Sequence, residues 1–172
     1  EIPLRLVGSE MCIRDRIHGV RGKAADGRIF EVDCKDTALR EVLAGKQIRN
    51  IEMMKTASRE LLNYGCRAVL VKGGHLEDGN MCDVLQLKDE SEPHLFMAQK
   101  VESHNTHGTG CTLSSAIATF LAFGNSMPEA VKQAKEYVYQ GILSGKDVHI
   151  GEGHGPLNHF HSPVPMHISD ED

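Results

Sequence analysis

Residues 50–74 run through a helical stripe, a glycine stop and a short unbroken apolar run, and this succession constrains the fold more than any other feature of the chain. Asn50 is a residue type that accepts a hydrogen bond from the first turn of a helix, so it is the predicted N-cap. Met54, Ala57, Ser58, Leu61 and Leu62 then fall on one helical face, and Gly65 ends the pattern. "RAVLVKGG" comes next. Ala68–Val71 is apolar throughout and contains β-branched residues, as a strand does when both faces are covered in a parallel sheet. A helix returning through a tight turn into such a strand is half of a βαβ unit. The predicted class is therefore α/β, with a mainly parallel sheet flanked by helices.

The remaining signals fit that frame. Residues 28–32 have strand character, and 36–43 carry a weak helical pattern that ends at Gly45. "NMCDVLQL" and "HLFMAQKV", separated by the charged turn "KDESEP", predict an antiparallel pair of strands. Leu113, Ala116, Ile117, Phe120 and Leu121 form a helical stripe that stops at Gly124. Ser126, Met127, Pro128 and Glu129 are a capping box with proline inside the first turn. The helix it opens carries Ala130, Ala134, Tyr137, Val138 and Ile142, and the chain after Lys146 reads as loop and tail.

Composition removes several classes. A length of 172 residues suits one modest domain. A formal net charge of −5 argues against nucleic acid as the main partner, since phosphate binding wants a basic stripe. No apolar run approaches the ~20 residues of a membrane helix, so no membrane role is expected. The five cysteines are irregularly spaced with no C-x-x-C pair, which is neither a disulfide framework nor a zinc pattern. Free thiols in a reducing compartment fit them best. His154, His159, His161 and His167 crowd the C-terminus, and a polar tail accounts for them better than a metal site. The opening "EIPLRLVGSEMCIRDR" has no sustained periodicity and reads as adaptor-derived sequence joined to a gene.

The chemistry concentrates in "THGTGC", residues 106–111, where a glycine turn becomes a helix. The first N–H groups of a helix lack internal partners, and the helix dipole places partial positive charge there. Gly108 and Gly110 let the backbone turn sharply and approach a ligand, making an anion hole for a transferring phosphoryl group. Cys111 falls at the helix start, where the dipole favours thiolate and suits a base. The plainer alternative is that Cys111 fills space while the glycines pack the helix against a strand. The spacing alone does not separate the two.

"NTHGTGCTLSSAIAT" closely resembles the signature of the hydroxymethylpyrimidine/phosphomethylpyrimidine kinases of thiamine biosynthesis, in the ribokinase-like superfamily. "AVLVKGGHLEDG" and "GHGPLNHFH" resemble two further segments of that family, in the same order. The resemblance covers residues 48–161, read as the C-terminal part of a kinase domain, with 1–47 an uncertain, non-native segment and 162–172 a tail or linker. It implies ATP-dependent phosphorylation of hydroxymethylpyrimidine and its monophosphate, with ATP and Mg2+. Cys111 matches the base; Gly108, Thr109 and Gly110 match the anion hole. Lys72 matches a lysine near the ATP phosphates, Gly73 and Gly74 a turn beside the nucleotide, and Thr106 and His107 the lip of the site. His75 is left structural. A pyridoxal or pyridoxine kinase of the same fold is the alternative substrate reading, and a truncated, non-catalytic nucleotide-binding fragment is the alternative of another class. The resemblance implies small-molecule partners, admits a homodimer, and places the protein in the cytoplasm, or in an organelle if a targeting segment lies upstream. Two departures stand out. The family's glycine-rich N-terminal substrate segment is not found, and its Asn-x-Pro-Glu stretch would fall where Asp36, Thr37, Ala38 and Leu39 stand, with Glu41 out of register. The metal ligands are therefore unassigned.

Overall fold

The computed structural model describes residues 20–23, 29–32, 48–63, 65–73 and 81–165. The expectations for the 36–43 helical pattern, for Asp36, Thr37, Ala38, Leu39 and Glu41, and for Gly74, His75 and His167 lie outside these residues. The strand expected at 28–32 is present. β1 (Val20–Lys23) and β2 (Ile29–Val32) pair antiparallel as a two-stranded sheet.

Asn50 caps α1 (Ile51–Leu62), its side-chain oxygen accepting from the Met53 N–H at 2.9 Å. The buried face of α1 is Met54, Ala57 and Ser58 of the predicted stripe, while Leu61 and Leu62 are half-buried. Gly65 then takes a φ of 93°, in the region that L side chains rarely adopt, and turns the chain toward β3 (Ala68–Val71).

β3 pairs with β4 (Met81–Leu87), and β4 pairs with β5 (His94–Ala98), in a three-stranded sheet with β4 at its centre. Both pairings are antiparallel: the β4–β5 pair is as the sequence predicts, while the parallel direction expected for β3 is corrected. Connection length explains it. Nine residues, 72–80, join β3 to β4, fewer than the dozen or so that a parallel crossover needs. Burial on both faces belongs to β4 instead, where Cys82, Asp83, Val84, Leu85 and Gln86 are all buried.

Alternation along β4 builds two cores. Leu85 joins Leu113, Ile117, Ala134 and Val138 of α2 (Thr109–Ala122) and α3 (Met127–Gly145). Cys82 and Val84 join Met54, Ala57 and Val71 on the α1 side. The sheet is thus covered by α1 on one face and by the α2–α3 pair on the other. Ser126 caps α3, accepting from the Glu129 N–H at 3.4 Å, with Pro128 in the first turn. Leu157 brings the C-terminal segment into the same core as α3. Among the described residues, no helix is long and apolar enough to cross a membrane.

A charged pair sits at the edge of this packing. Lys135 of α3 donates to the Asp83 carboxylate at 2.9 Å and also to the Phe96 carbonyl. The other Asp83 oxygen accepts the Gly73 N–H at 3.0 Å. One carboxylate thereby ties the end of β3, the start of β4, β5 and α3 together.

Candidate active site

Strand register sets where the site can open. Val71 lies opposite Val84, and Met81 lies opposite Ala98. The end of β3, the start of β4 and the end of β5 therefore share one edge of the sheet. Lys72 leaves from that edge, and from the end of β5 residues 99–108 lead into α2.

Gly108 is the N-cap of α2, with a φ of 86°. Its carbonyl accepts the Thr112 N–H at 2.9 Å, the first bond of the helix. Asn50 and Ser126 cap α1 and α3 with side-chain oxygens, whereas Gly108 brings no side chain and the first turn of α2 holds no acidic residue. The positive end of the α2 dipole is left without a carboxylate of its own.

The glycines can be sorted by what demands them. Gly108 is required by its backbone angle. Gly110 is helical, and among the described residues a Cβ added there would meet nothing within 4 Å. Among the described residues, a Cβ at Gly108 would likewise meet nothing within 4 Å. Open space at Gly110 is what an approaching anion needs. Cys111, in the same turn, is half-buried rather than sealed in the core, and its thiol is not in a disulfide.

Gly73 has a different cause. A Cβ there would lie 1.9 Å from the Cys82 carbonyl oxygen, and its N–H already serves Asp83. Its glycine is required inside the sheet. Lys72, half-buried, is the last residue before that contact. Thr106 and His107 are both exposed at the entrance to the turn. The Thr106 carbonyl accepts the Thr109 N–H at 3.4 Å, and His107 donates its N–H to the Gly155 carbonyl at 3.1 Å, forming a parallel bridge with Pro156.

The structure thus gathers Thr106, His107, Gly108, Thr109, Gly110 and Cys111 into one continuous surface, with Lys72 on the same sheet edge. Asn105 was not singled out in the sequence. It is buried, and both donors of its amide are engaged, to the Gly145 and Val148 carbonyls at 2.6 Å each. Its place immediately before the turn was the available signal. Among the C-terminal histidines, the His154 ring nitrogen lies 3.4 Å from the His104 carbonyl, and the His161 ring lies 4.9 Å from that of Tyr137. Among the described residues, no group of three or more His, Cys, Asp or Glu is placed to hold a metal ion.

A sheet covered by helices on both faces, with a glycine turn opening a helix at one sheet edge, places the molecule in the ribokinase-like α/β class. Residues 36–158 match the family model described as phosphomethylpyrimidine kinase, and the chain belongs to that family. It is 45% identical over 120 residues to the thiamine biosynthesis bifunctional protein ThiED of Geobacter sulfurreducens, covering 70% of this chain and 24% of that protein. It is 39% identical over 121 residues to the hydroxymethylpyrimidine/phosphomethylpyrimidine kinase of Salmonella typhimurium, covering 70% of this chain and 45% of that one. The pyridoxal kinase of Staphylococcus aureus in complex with AMP-PCP and pyridoxal superposes with a TM-score of 0.63 at 28% identity, over 70% of this chain and 44% of that chain. The chain spans less than half the length of these relatives.

Proposed function

We propose that the protein carrying this chain phosphorylates hydroxymethylpyrimidine and its monophosphate with ATP, as a step in thiamine biosynthesis. The observation that carries this reading is the glycine turn at the start of α2, where Gly108 brings no side-chain cap, with room for a Cβ at Gly110 among the described residues and a thiol one residue on, inside the segment that matches the family.

The chemistry assigned to the residues is simple. Cys111 takes the proton from the substrate hydroxyl, or from the substrate phosphate in the second reaction. The α2 N-terminus at Gly108, Thr109, Gly110 and Cys111 holds the charge that spreads over the transferring group. Lys72 faces the phosphates as a compact point charge. Thr106 and His107 form the lip that orients the acceptor. When bound, ATP would supply the phosphoryl group and magnesium would neutralise its charge, as in other phosphoryl transfers. The α2 terminus, with no acidic residue in its first turn, fits phosphate oxygens; no described residue is assigned to the magnesium.

A pyridoxal-type substrate is the second reading, favoured by the superposition on a kinase bound to pyridoxal. The higher identity to pyrimidine kinases ranks it below the first. Steady-state turnover on hydroxymethylpyrimidine, its monophosphate and pyridoxine decides between them. Higher kcat/KM on the two pyrimidines is expected. Preference for pyridoxine overturns the substrate assignment, and nucleotide binding without any turnover overturns the kinase reading in favour of a binding module.

A further inference from the structure

The α2 turn is held from behind by a residue that has no chemistry of its own. Asn105 is 5% exposed and directly precedes the turn. Its amide nitrogen lies 2.6 Å from the Gly145 carbonyl and 2.6 Å from that of Val148. Both neighbours are carbonyl oxygens, which fixes the NH2 group toward them. Those carbonyls belong to the last turn of α3 and the loop beyond it, where helix carbonyls lack intrahelical partners. A residue 40 positions earlier thus caps α3.

The other side of the amide packs closely against Gly155. A Cβ on Gly155 would stand 2.0 Å from the Asn105 side-chain oxygen, so any side chain there would displace the amide. One step further on, the His107 N–H donates to the Gly155 carbonyl, and His107 bridges Pro156. The Asn105 backbone N–H is given to the Ser103 hydroxyl at 3.0 Å. The end of α3, the 154–157 segment and the entrance of the glycine turn are therefore locked around one amide group.

We infer that Asn105 is a positioning residue, which sets the α2 turn and Cys111 by latching the turn to the end of α3 and to Gly155. This rests on the reading of 108–111 as the anion hole, but its test does not. The chain carries described thiols at three depths: Cys66 exposed, Cys111 half-buried and Cys82 buried. Alkylation by iodoacetamide, mapped by peptide mass without nucleotide, reports the reagent at Cys66, the turn at Cys111 and general opening at Cys82.

For Asn105→Ala, the Cys111 rate relative to Cys66 is expected to rise roughly tenfold while Cys82 stays protected, because two hydrogen bonds are lost, one of them to the buried Gly145 carbonyl. An unchanged Cys111 ratio overturns the proposal. So does a joint rise at Cys111 and Cys82, which marks general loosening. Should that variant not fold, Asn105→Ser keeps one donor and is read in the same way. The unsubstituted chain gives a further check. The His107 amide should exchange with solvent as slowly as amides of α2, and exchange at a loop rate overturns the latch. In the protein carrying the chain, Asn105→Ala is expected to lower kcat about tenfold and leave KM for the pyrimidine within about twofold. Absence of turnover in the unsubstituted protein would defeat the kinase reading and leave the alkylation result standing.

Discussion

Two glycines in the same region answer the same substitution in opposite ways. Gly110→Ala adds a methyl group into open space on a helix. Stability is expected to stay level or rise by up to about 1 kcal/mol in urea denaturation, since alanine is the better helix former. Nucleotide affinity, read by calorimetry, should fall because the methyl group stands where the phosphate approaches. Gly73→Ala drives a Cβ to 1.9 Å from the Cys82 carbonyl, and a loss of about 3 kcal/mol is expected from that overpacking. Cys111→Ala is expected to lower turnover by roughly 10²–10⁴-fold, the usual worth of a general base, with nucleotide affinity unchanged. Loss of affinity in parallel with turnover would remove Cys111 from the base role. The turn was legible in the sequence because its demands are local: a left-handed angle at 108, a helix start, a thiol beside it. Asn105 and the internal cause of Gly73 were not, because their partners come from Gly145, Gly155 and Cys82.

At the scale of elements, the helix ends and the antiparallel β4–β5 pair were legible, and the direction of β3 was not. Asn50, Gly65, Gly124 and Ser126 stand where the structure starts and stops its helices, since caps depend on short-range chemistry. Asn50→Ala is expected to cost about 1 kcal/mol in thermal or urea unfolding. Ser126→Ala should cost less, its cap bond being longer at 3.4 Å. The apolar run at Ala68–Val71 reported burial but carried no information on which way its neighbour runs. Connection length did, and the nine residues to β4 decide it. The Asp83–Lys135 pair escaped the sequence because its members are 52 positions apart. Lys135→Met leaves Asp83 buried beside β3 without its ammonium, and a loss of about 3 kcal/mol is expected. Adding Asp83→Asn should recover part of that loss, measured as a double-mutant cycle.

For the molecule as a whole, the two sheet faces are unequally covered. α1 packs on β3 and β4, while Leu95 and Met97 of β5, opposite Val84 and Cys82, remain 43% and 56% exposed. An apolar edge strand of this kind invites association. Sedimentation velocity on the isolated chain should show monomer falling as concentration rises, and Met97→Lys should restore it. A monomer at all concentrations would contradict this.

The latch around Asn105 also has a consequence in time. The β3–β4–β5 meander and the α2–α3 pair join neighbours in sequence and close short loops. The bonds from Asn105 to Gly145 and Val148 span 40 and 43 residues, and such closures carry a larger entropic cost before any contact repays it. The latch should therefore form on the native side of the folding barrier. Substitutions at Asn105 would then speed unfolding and leave the folding rate nearly unchanged. The segment that holds the glycine turn would be the last part of the chain to settle and the first to let go.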